Sequence, residues 1–384
     1  MKQIESYCGF EQGPIRPPSE ADSLLIRITR NCPWNRCTFC SLYKGSTFSK
    51  RPLEHVLRDI DTISLYADAV IDAARNGTTL SRQDLQQLTG GADQPDLSAY
   101  HAASNFVANG MKSVFFQDGN SLIIAPGDII KILIHLKKAF PTLERITSYA
   151  RSQTISKISD EDLRLMAASG LNRIHIGMES GSDRVLTQVK KGVDKATHII
   201  AGQKVKKAGI QLSEYFMPGL GGKDLSKEHA VETADALNQI NPDFIRLRAL
   251  ALPSGAPLTA QYQNGDFAKM GEVDTARELL LWLENLGEIN STIKSDHVLN
   301  LFSEIDGQWP ADKEKMIQPV REFLELPAAE QMLFCIGRRT HRFAYLQDLS
   351  NPVRRANAQK LCASLGATPE NYDEIIESIV QRFI

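Results

Sequence analysis

The sequence predicts an α/β fold, a partial (β/α)6 barrel over residues 23–255 followed by a mainly helical region over 256–384. Three observations carry that expectation. Short apolar or β-branched runs alternate with longer helical patterns between residues 23 and 253, as parallel βα units require. Most of the short runs are continuously apolar, which suits strands covered on both faces. Beyond Pro253 the strand rhythm stops and helical spacing takes over.

Residues 1–22 read as an N-terminal extension. The expected strands are 24–29, 113–117, 145–149, 172–178, 210–216 and 243–250. A helix is expected over 52–74, where Leu53, Val56, Leu57, Ile60 and Ile63 recur at helical spacing. A second starts near Ser159, with Ser159 and Asp162 placed as a capping box, and a third near Ser226. Gly110, Gly170 and Gly209 close helices just before the next strand. Residues 76–97, with Gly77, Gly90, Gly91 and Pro95, interrupt the rhythm and read as a surface insertion. In the C-terminal region, 272–286 is strongly amphipathic and 292–302 is the single β-like stretch. This region is expected to cover the open side of the barrel.

Composition narrows the function classes. Hydrophobic residues are 42% and charged residues 23% of 384, ordinary for a globular chain with a sizeable core. A formal net charge of −2 supplies no global basic field, so a nucleic-acid partner is not favoured. No apolar run is long enough to span a bilayer, so no membrane partner is expected. The N-terminus lacks the apolar stretch of an export signal, and with clustered thiols this points to the cytoplasm.

Cys32, Cys37 and Cys40 fall within nine residues, directly after the first expected strand, and no fourth cysteine lies nearby. Four-iron clusters held by protein alone take four thiolates, so three leave one iron open for a small molecule. The competing reading is a Cys3His zinc site completed by His55, whose spacing is poor because His55 falls inside the 52–74 helix. The remaining polar residues gather where the expected strands end, which is where parallel barrels place their chemistry.

The chain resembles the radical S-adenosylmethionine (SAM) superfamily, and implies a partial (β/α)6 radical SAM barrel. The residues that carry the resemblance are the cysteine loop, Phe115-Phe116-Gln117-Asp118-Gly119-Asn120, Ile176-Gly177-Met178-Glu179-Ser180-Gly181, and Met217-Pro218-Gly219-Leu220-Gly221-Gly222. These look most like the branch of oxygen-independent coproporphyrinogen dehydrogenase and Elp3-like enzymes. Four residues separate the first two cysteines, where the superfamily usually has three. The resemblance implies that Cys32, Cys37 and Cys40 hold a [4Fe–4S] cluster whose fourth iron takes SAM. It also implies that Phe39 packs near the adenine, that Gln117, Asp118 and Gly119 meet the SAM amino group, and that Glu179 accepts from the ribose. Ser148 and Arg151 would neighbour the ribose or carboxylate, and Met217 with its glycines would form the floor. An external one-electron donor, flavodoxin- or ferredoxin-like, is implied as a partner, together with a small-molecule substrate of organic or tetrapyrrole-like kind. Asp296, His297 and Asn300, polar residues in the β-like 292–302 stretch, are the expected substrate contacts. Two other readings stand beside the enzyme: a haem- or SAM-binding or redox-sensing protein on the same fold, and an RNA-modifying radical SAM enzyme. The substrate, the electron donor and any role of Cys8, Cys335 or Cys362 do not follow from the sequence.

Overall fold

The strands of the main sheet are β1 (Leu24–Arg27), β2 (Ser113–Gln117), β3 (Arg145–Ala150), β4 (Arg173–Glu179), β5 (Gln211–Phe216), β6 (Phe244–Leu247), β7 (Ser291–Lys294) and β8 (Gly307–Trp309). A computed structural model of the chain describes residues 5–88 and 94–381. The sheet has eight strands in chain order. The pairs β1–β2, β2–β3, β3–β4, β5–β6 and β6–β7 are parallel, whereas β7–β8 is antiparallel. The chain forms two compact units. One comprises Met1–Pro33, Gly45–Ile176 and Lys204–Gln211; the other comprises Trp34–Lys44, Gly177–Gln203 and Leu212–Ile384.

In the first unit, β2 is Ser-Val-Phe-Phe-Gln with every residue buried, as expected of a strand covered on both faces. Helices α1 (Leu53–Arg75), α2 (Leu97–Ala108), α3 (Pro126–Ala139) and α4 (Asp160–Ser169) accompany its strands. Helix α1 buries Val56, Ile60, Ile63 and Ala67, which recur at the spacing of one helical face. The expected start of α4 is present, with Ser159 Oγ accepting from Asp162 N at 3.0 Å, and Gly170 ends it in the left-handed region at φ 115°. The ring of Phe106 meets Phe140 edge-on, 5.1 Å between centroids.

The second unit holds α5 (Asp183–Gln188), α6 (Lys195–Lys207, up to Gln203), α7 (Gly222–Ile240), α8 (Pro257–Gln263) and α9 (Glu272–Asn285), then α10 (Lys313–Glu325), α11 (Ala328–Arg339), α12 (Pro352–Ser364) and α13 (Tyr372–Val380). Its core includes Trp282, stacked on Phe216 at 4.8 Å, and an aromatic set of Phe302, Phe323, Phe334 and Phe343.

Several boundaries differ from the expectation. Residues 24–29 do not form one strand: after Arg27 the chain turns, and Thr29–Arg30 pairs antiparallel with Ser49–Lys50 in a separate ribbon. This ribbon closes the base of the cysteine loop. The strand expected over 243–250 ends at Leu247. The β-like 292–302 stretch is strand only at Ser291–Lys294, because Asn300 N then bonds His297 O in a turn and Ser295 Oγ bonds Phe302 O. Helix α7 starts at Gly222, ahead of Ser226. Two strands, β7 and β8, lie in the region expected to be mainly helical. The insertion over 76–97 carries a short helix, Arg82–Leu88, and its residues 89–93 lie outside the described residues.

Candidate functional site

The first unit supplies Cys32 and the loop that follows β2. Asp118 takes a left-handed backbone, φ 71°, and is fully buried. Its Oδ2 accepts from Arg27 Nε at 2.7 Å and from Asn31 N at 3.3 Å, so the acid ties β1 to the start of the cysteine loop. Gln117 is also buried, and its amide is committed to backbone: Oε1 accepts from Gly13 N, and Nε2 donates to Gly13 O and Ile15 O. The Gln117 side chain thus fastens the N-terminal segment at Gly13 and Ile15. Asn120 braces the next loop, donating to Thr154 Oγ1 and accepting from Arg151 N. Ser148 is buried and donates to Tyr149 O at 3.0 Å. His55 packs edge-on against Tyr7, 5.4 Å between centroids. Among the described residues no group of three or more His, Cys, Asp or Glu could share one metal ion, which the Cys3His zinc reading would need.

The second unit supplies Cys37 and Cys40 on residues 34–44. Thr38 N donates to Val189 O at 2.9 Å, Leu258 N donates to Thr38 O at 2.8 Å, and Trp34 Nε1 donates to Lys190 O at 2.8 Å. The loop is thus pinned to the segment after α5 and to the start of α8. Gly192 sits under Trp34 at φ 71°, where a Cβ would strike the indole ring. Phe39 packs against two clusters, Val185, Val189, Leu220 and Leu225, and Leu252, Leu258 and Phe267; Met217 joins the first. Cys32, Cys37 and Cys40 are each partly exposed and none is joined in a disulfide.

Glu179 ends β4 at φ 66°, and its Oε1 lies 3.2 Å from Lys191 Nζ. That ammonium also sits 5.6 Å from the Phe39 ring centroid. Gly177 carries no Cβ because one would collide with the Glu179 carboxylate. Glu214 on β5 is fully buried, and neither carboxylate oxygen has a hydrogen-bond partner in the structure. Burial, aided by the charge of Glu179, holds its carboxyl well above the usual range, against the opposing pull of Lys191.

The rest of the Glu179 motif is structural. His229 Nε2 faces Met217 O at 3.0 Å, so that nitrogen donates, and Nδ1 accepts from Ser180 Oγ at 2.8 Å. Gly181 N donates to Thr233 Oγ1, and the glycine permits close approach to the α7 backbone. Gly219 N donates to the buried Glu278 at 2.6 Å, bracing the Met217 loop.

The expected substrate residues are placed differently from one another. Asp296 is shared by Arg246 and by Arg248, the latter at 2.6 Å, and burial opposes but does not overcome their pull, so its carboxyl stays below the usual range. His297 is pushed down to about 4 by burial and by the Arg248 charge, hence neutral at neutral pH. The Asn300 amide is occupied by backbone, donating to Leu247 O and accepting from Ala249 N, both at 3.0 Å. Arg339 forks onto Glu272, and Arg338 bonds Leu301 O and Asn300 O, so both arginines work within the fold. Cys335 is wholly buried; its thiol is pushed up well above the usual range by burial. Sequence reasoning missed Lys191, Glu214, Arg246 and Arg248. A lone acid inside the buried Leu-Ser-Glu-Tyr-Phe run, and alternating arginines in Ile-Arg-Leu-Arg, were the available signals. Nothing local marks Lys191, whose partner lies twelve residues earlier.

A predominantly parallel sheet, a three-thiol loop after its first strand and a glutamate closing its fourth define an α/β protein with chemistry at the strand ends. Residues 94–236 match the radical SAM superfamily model, so over that segment the chain is similar to the radical SAM superfamily. Its members bind a [4Fe–4S] cluster and SAM and draw on a reductant. The match begins after the cysteine loop. The chain is 22% identical over 129 residues to the tRNA uridine(34) acetyltransferase of Methanocaldococcus infernus, covering 33% of this chain and 24% of that protein. It is 22% identical over 240 residues to the human mitochondrial tRNA methylthiotransferase CDK5RAP1, covering 59% and 37%. The match thus spans about a quarter to a little over a third of these relatives' lengths. Among solved structures, the Escherichia coli coproporphyrinogen III oxidase HemN is similar with a TM-score of 0.44 at 16% identity, over 68% of this chain and 52% of that one. No helix among the described residues is long and apolar enough to cross a membrane.

The residues present fit the cofactors by donor chemistry. Three unbridged thiols offer one ligand to each of three irons. A cluster does not need its thiolates around a single ion, so the absence of a one-ion ligand group is compatible with it. Glu179, Lys191 and Phe39 together offer an acceptor, a cation and a ring face.

Proposed function

We propose that this chain is a radical SAM enzyme acting on a small organic or tetrapyrrole-like substrate, with Cys32, Cys37 and Cys40 as the cluster ligands. The observation that carries the reading is a loop of three cysteines, Cys32, Cys37 and Cys40, ahead of a segment that matches the radical SAM model. Held by Cys32, Cys37 and Cys40, a cluster with bound SAM would supply 5′-deoxyadenosyl radical chemistry for hydrogen abstraction from an unactivated carbon, the electron coming from a flavodoxin- or ferredoxin-like donor. The chain's own work is placement. Asp118 and Arg27 set the direction of the cysteine loop at its start, and Trp34 and Thr38 fix its far side. Glu179 would accept hydrogen bonds from the ribose, and Lys191, 3.2 Å away, compensates its charge. Phe39 and Met217 supply apolar walls that keep water out. Gly119, Ser148 and Arg151 line the methionine end, and Asp296 and His297 stand at the end of β7 for the substrate.

The test is anaerobic reconstitution followed by reduction in the presence of SAM. About four irons per chain and formation of 5′-deoxyadenosine are expected, and changing all three cysteines to alanine removes both. Reduced, fully loaded protein that leaves SAM intact would overturn the enzyme reading and favour a binding or sensing protein. The names of the two relatives, both tRNA-modifying, support a second reading in which the substrate is an RNA. Retention of RNA by the loaded chain at physiological salt separates the two.

A further inference from the structure

The cysteine loop carries positive charge that no acid answers. Residues 34–44 contain Arg36 and Lys44 and no carboxylate; residues 186–193, to which the loop is pinned, contain Lys190 and Lys191 and no carboxylate. Lys191 is paired with Glu179. Arg36, Lys44 and Lys190 form no ion pair among the described residues. The next acids along the chain are engaged elsewhere, Asp194 accepting from Thr197 N and Asp183 from Lys195 N, both at the start of α6.

Contacts within the loop hold these three cations together. Trp34 Nε1 donates to Lys190 O at 2.8 Å, the Arg36 guanidinium lies 5.2 Å from the Trp34 ring centroid, and Lys44 Nζ donates to Asn35 O at 2.8 Å. A ring and a carbonyl orient a cation without neutralising it. Arg36 and Lys190 are exposed, and Leu42 on the same loop is 47% exposed. Cys37 and Cys40, on this stretch, are partly exposed as well. Unneutralised charge of one sign raises the local concentration of an oppositely charged partner and speeds its encounter. Electron carriers bind through small, transient interfaces, a size that one loop can supply. Electron transfer weakens steeply with distance, so a carrier has to approach the loop that holds the thiols. A single-stranded nucleic acid would draw on a longer basic track and on open aromatic faces. The Trp34 indole is taken by Arg36 and by Gly192, where a Cβ would lie 2.2 Å from the ring.

We propose that Arg36, Lys44 and Lys190 form the docking surface of an acidic one-electron carrier protein, which gives one electron to the thiol-held cluster and leaves oxidised by one electron. This rests on the enzyme reading above and adds the carrier's charge and its landing place.

Calorimetric titration of the cluster-loaded full chain with a flavodoxin of acidic pI tests it. Saturable binding is expected, several-fold weaker at about 150 mM than at about 20 mM salt because exposed charges are screened. Lys44→Glu combined with Lys190→Glu weakens it by about tenfold or more, chiefly through the association rate. Arg75→Glu, on the exposed end of α1, leaves binding unchanged. If the double variant fails to fold or to hold iron, Lys190→Gln weakens binding by a smaller measurable factor. Absence of saturable binding in the native chain, affinity independent of salt, or unchanged affinity in the lysine variants overturns the inference. Tighter, lysine-dependent binding of a single-stranded oligouridylate than of the flavodoxin overturns it in favour of an RNA surface. No carrier binding by a chain that cleaves SAM under dithionite overturns this inference alone; lysine-dependent carrier binding without SAM cleavage under dithionite overturns the enzyme reading alone.

Discussion

Glu214 shows what one buried acid does to a protein's pH response. Its carboxyl is held well above the ordinary range because no partner replaces the water it loses. The folded chain therefore keeps a proton that the unfolded chain releases, and stability falls as pH rises from the ordinary glutamate value, about 4.3, toward the raised one. Glu214→Gln mimics the protonated acid. We expect it to raise the melting temperature at pH 8, by less at pH 6, and not at all below about pH 4. A variant less stable than the parent at pH 8 would show that the acid is ionised and paired. His297 acts in the opposite sense: neutral in the fold down to about pH 4, it contributes stability that is lost as pH falls from the ordinary histidine value through its lowered one. Of these two residues, the histidine was visible in the sequence as a polar intruder in a β-like stretch. The acid was hidden because any glutamate next to a tyrosine reads as a solvated strand edge until burial is known.

At the scale of elements, local signals were reliable where the chain itself closes the interaction. Ser159 and Asp162 are three residues apart, and the cap they predict is present at 3.0 Å. Ser159→Ala should cost about 1 kcal/mol in chemical denaturation, with an unchanged slope. Elements whose ends are set by distant partners were misplaced. The strand expected to reach residue 250 stops at Leu247 because Asn300, fifty-three residues on, takes the Leu247 carbonyl and holds Ala249 N. The cysteine loop belongs to the same class. Trp34 lies on Gly192, a glycine in the left-handed region, and no spacing rule links them. Gly192→Ala should lower stability by about 1–3 kcal/mol through backbone strain and displacement of the indole, and should lower iron retention after reconstitution. Full iron content with native stability would mean that Trp34 does not position the loop.

Across the whole molecule, the region after residue 255 is joined by ion pairs that no composition count reveals. Arg339 on α11 forks onto Glu272 at the start of α9, and both are nearly buried, their side chains 7% and 11% exposed. Removing one partner strands the other, so Arg339→Met should destabilise by about 3–5 kcal/mol, whereas replacing both with apolar residues should recover much of that loss in a denaturant titration. Equal destabilisation in the single and double variants would show that packing, not charge, decides this contact.

The sequence by itself determined the parallel α/β class, the position of all six foreseen strands to within three residues, the three-thiol loop and the radical SAM resemblance its motifs carry. These depend on periodicity and on residues close in the chain, which a linear reading preserves. Only the tertiary structure decided that Gln117 and Asn300 spend their amides on backbone, that Lys191 answers Glu179, that Glu214 is buried without a partner, and that Arg246 and Arg248 share one aspartate. Each of those depends on burial or on a partner many residues away, and a carboxylate or guanidinium has the same letter in the sequence whether water or protein surrounds it.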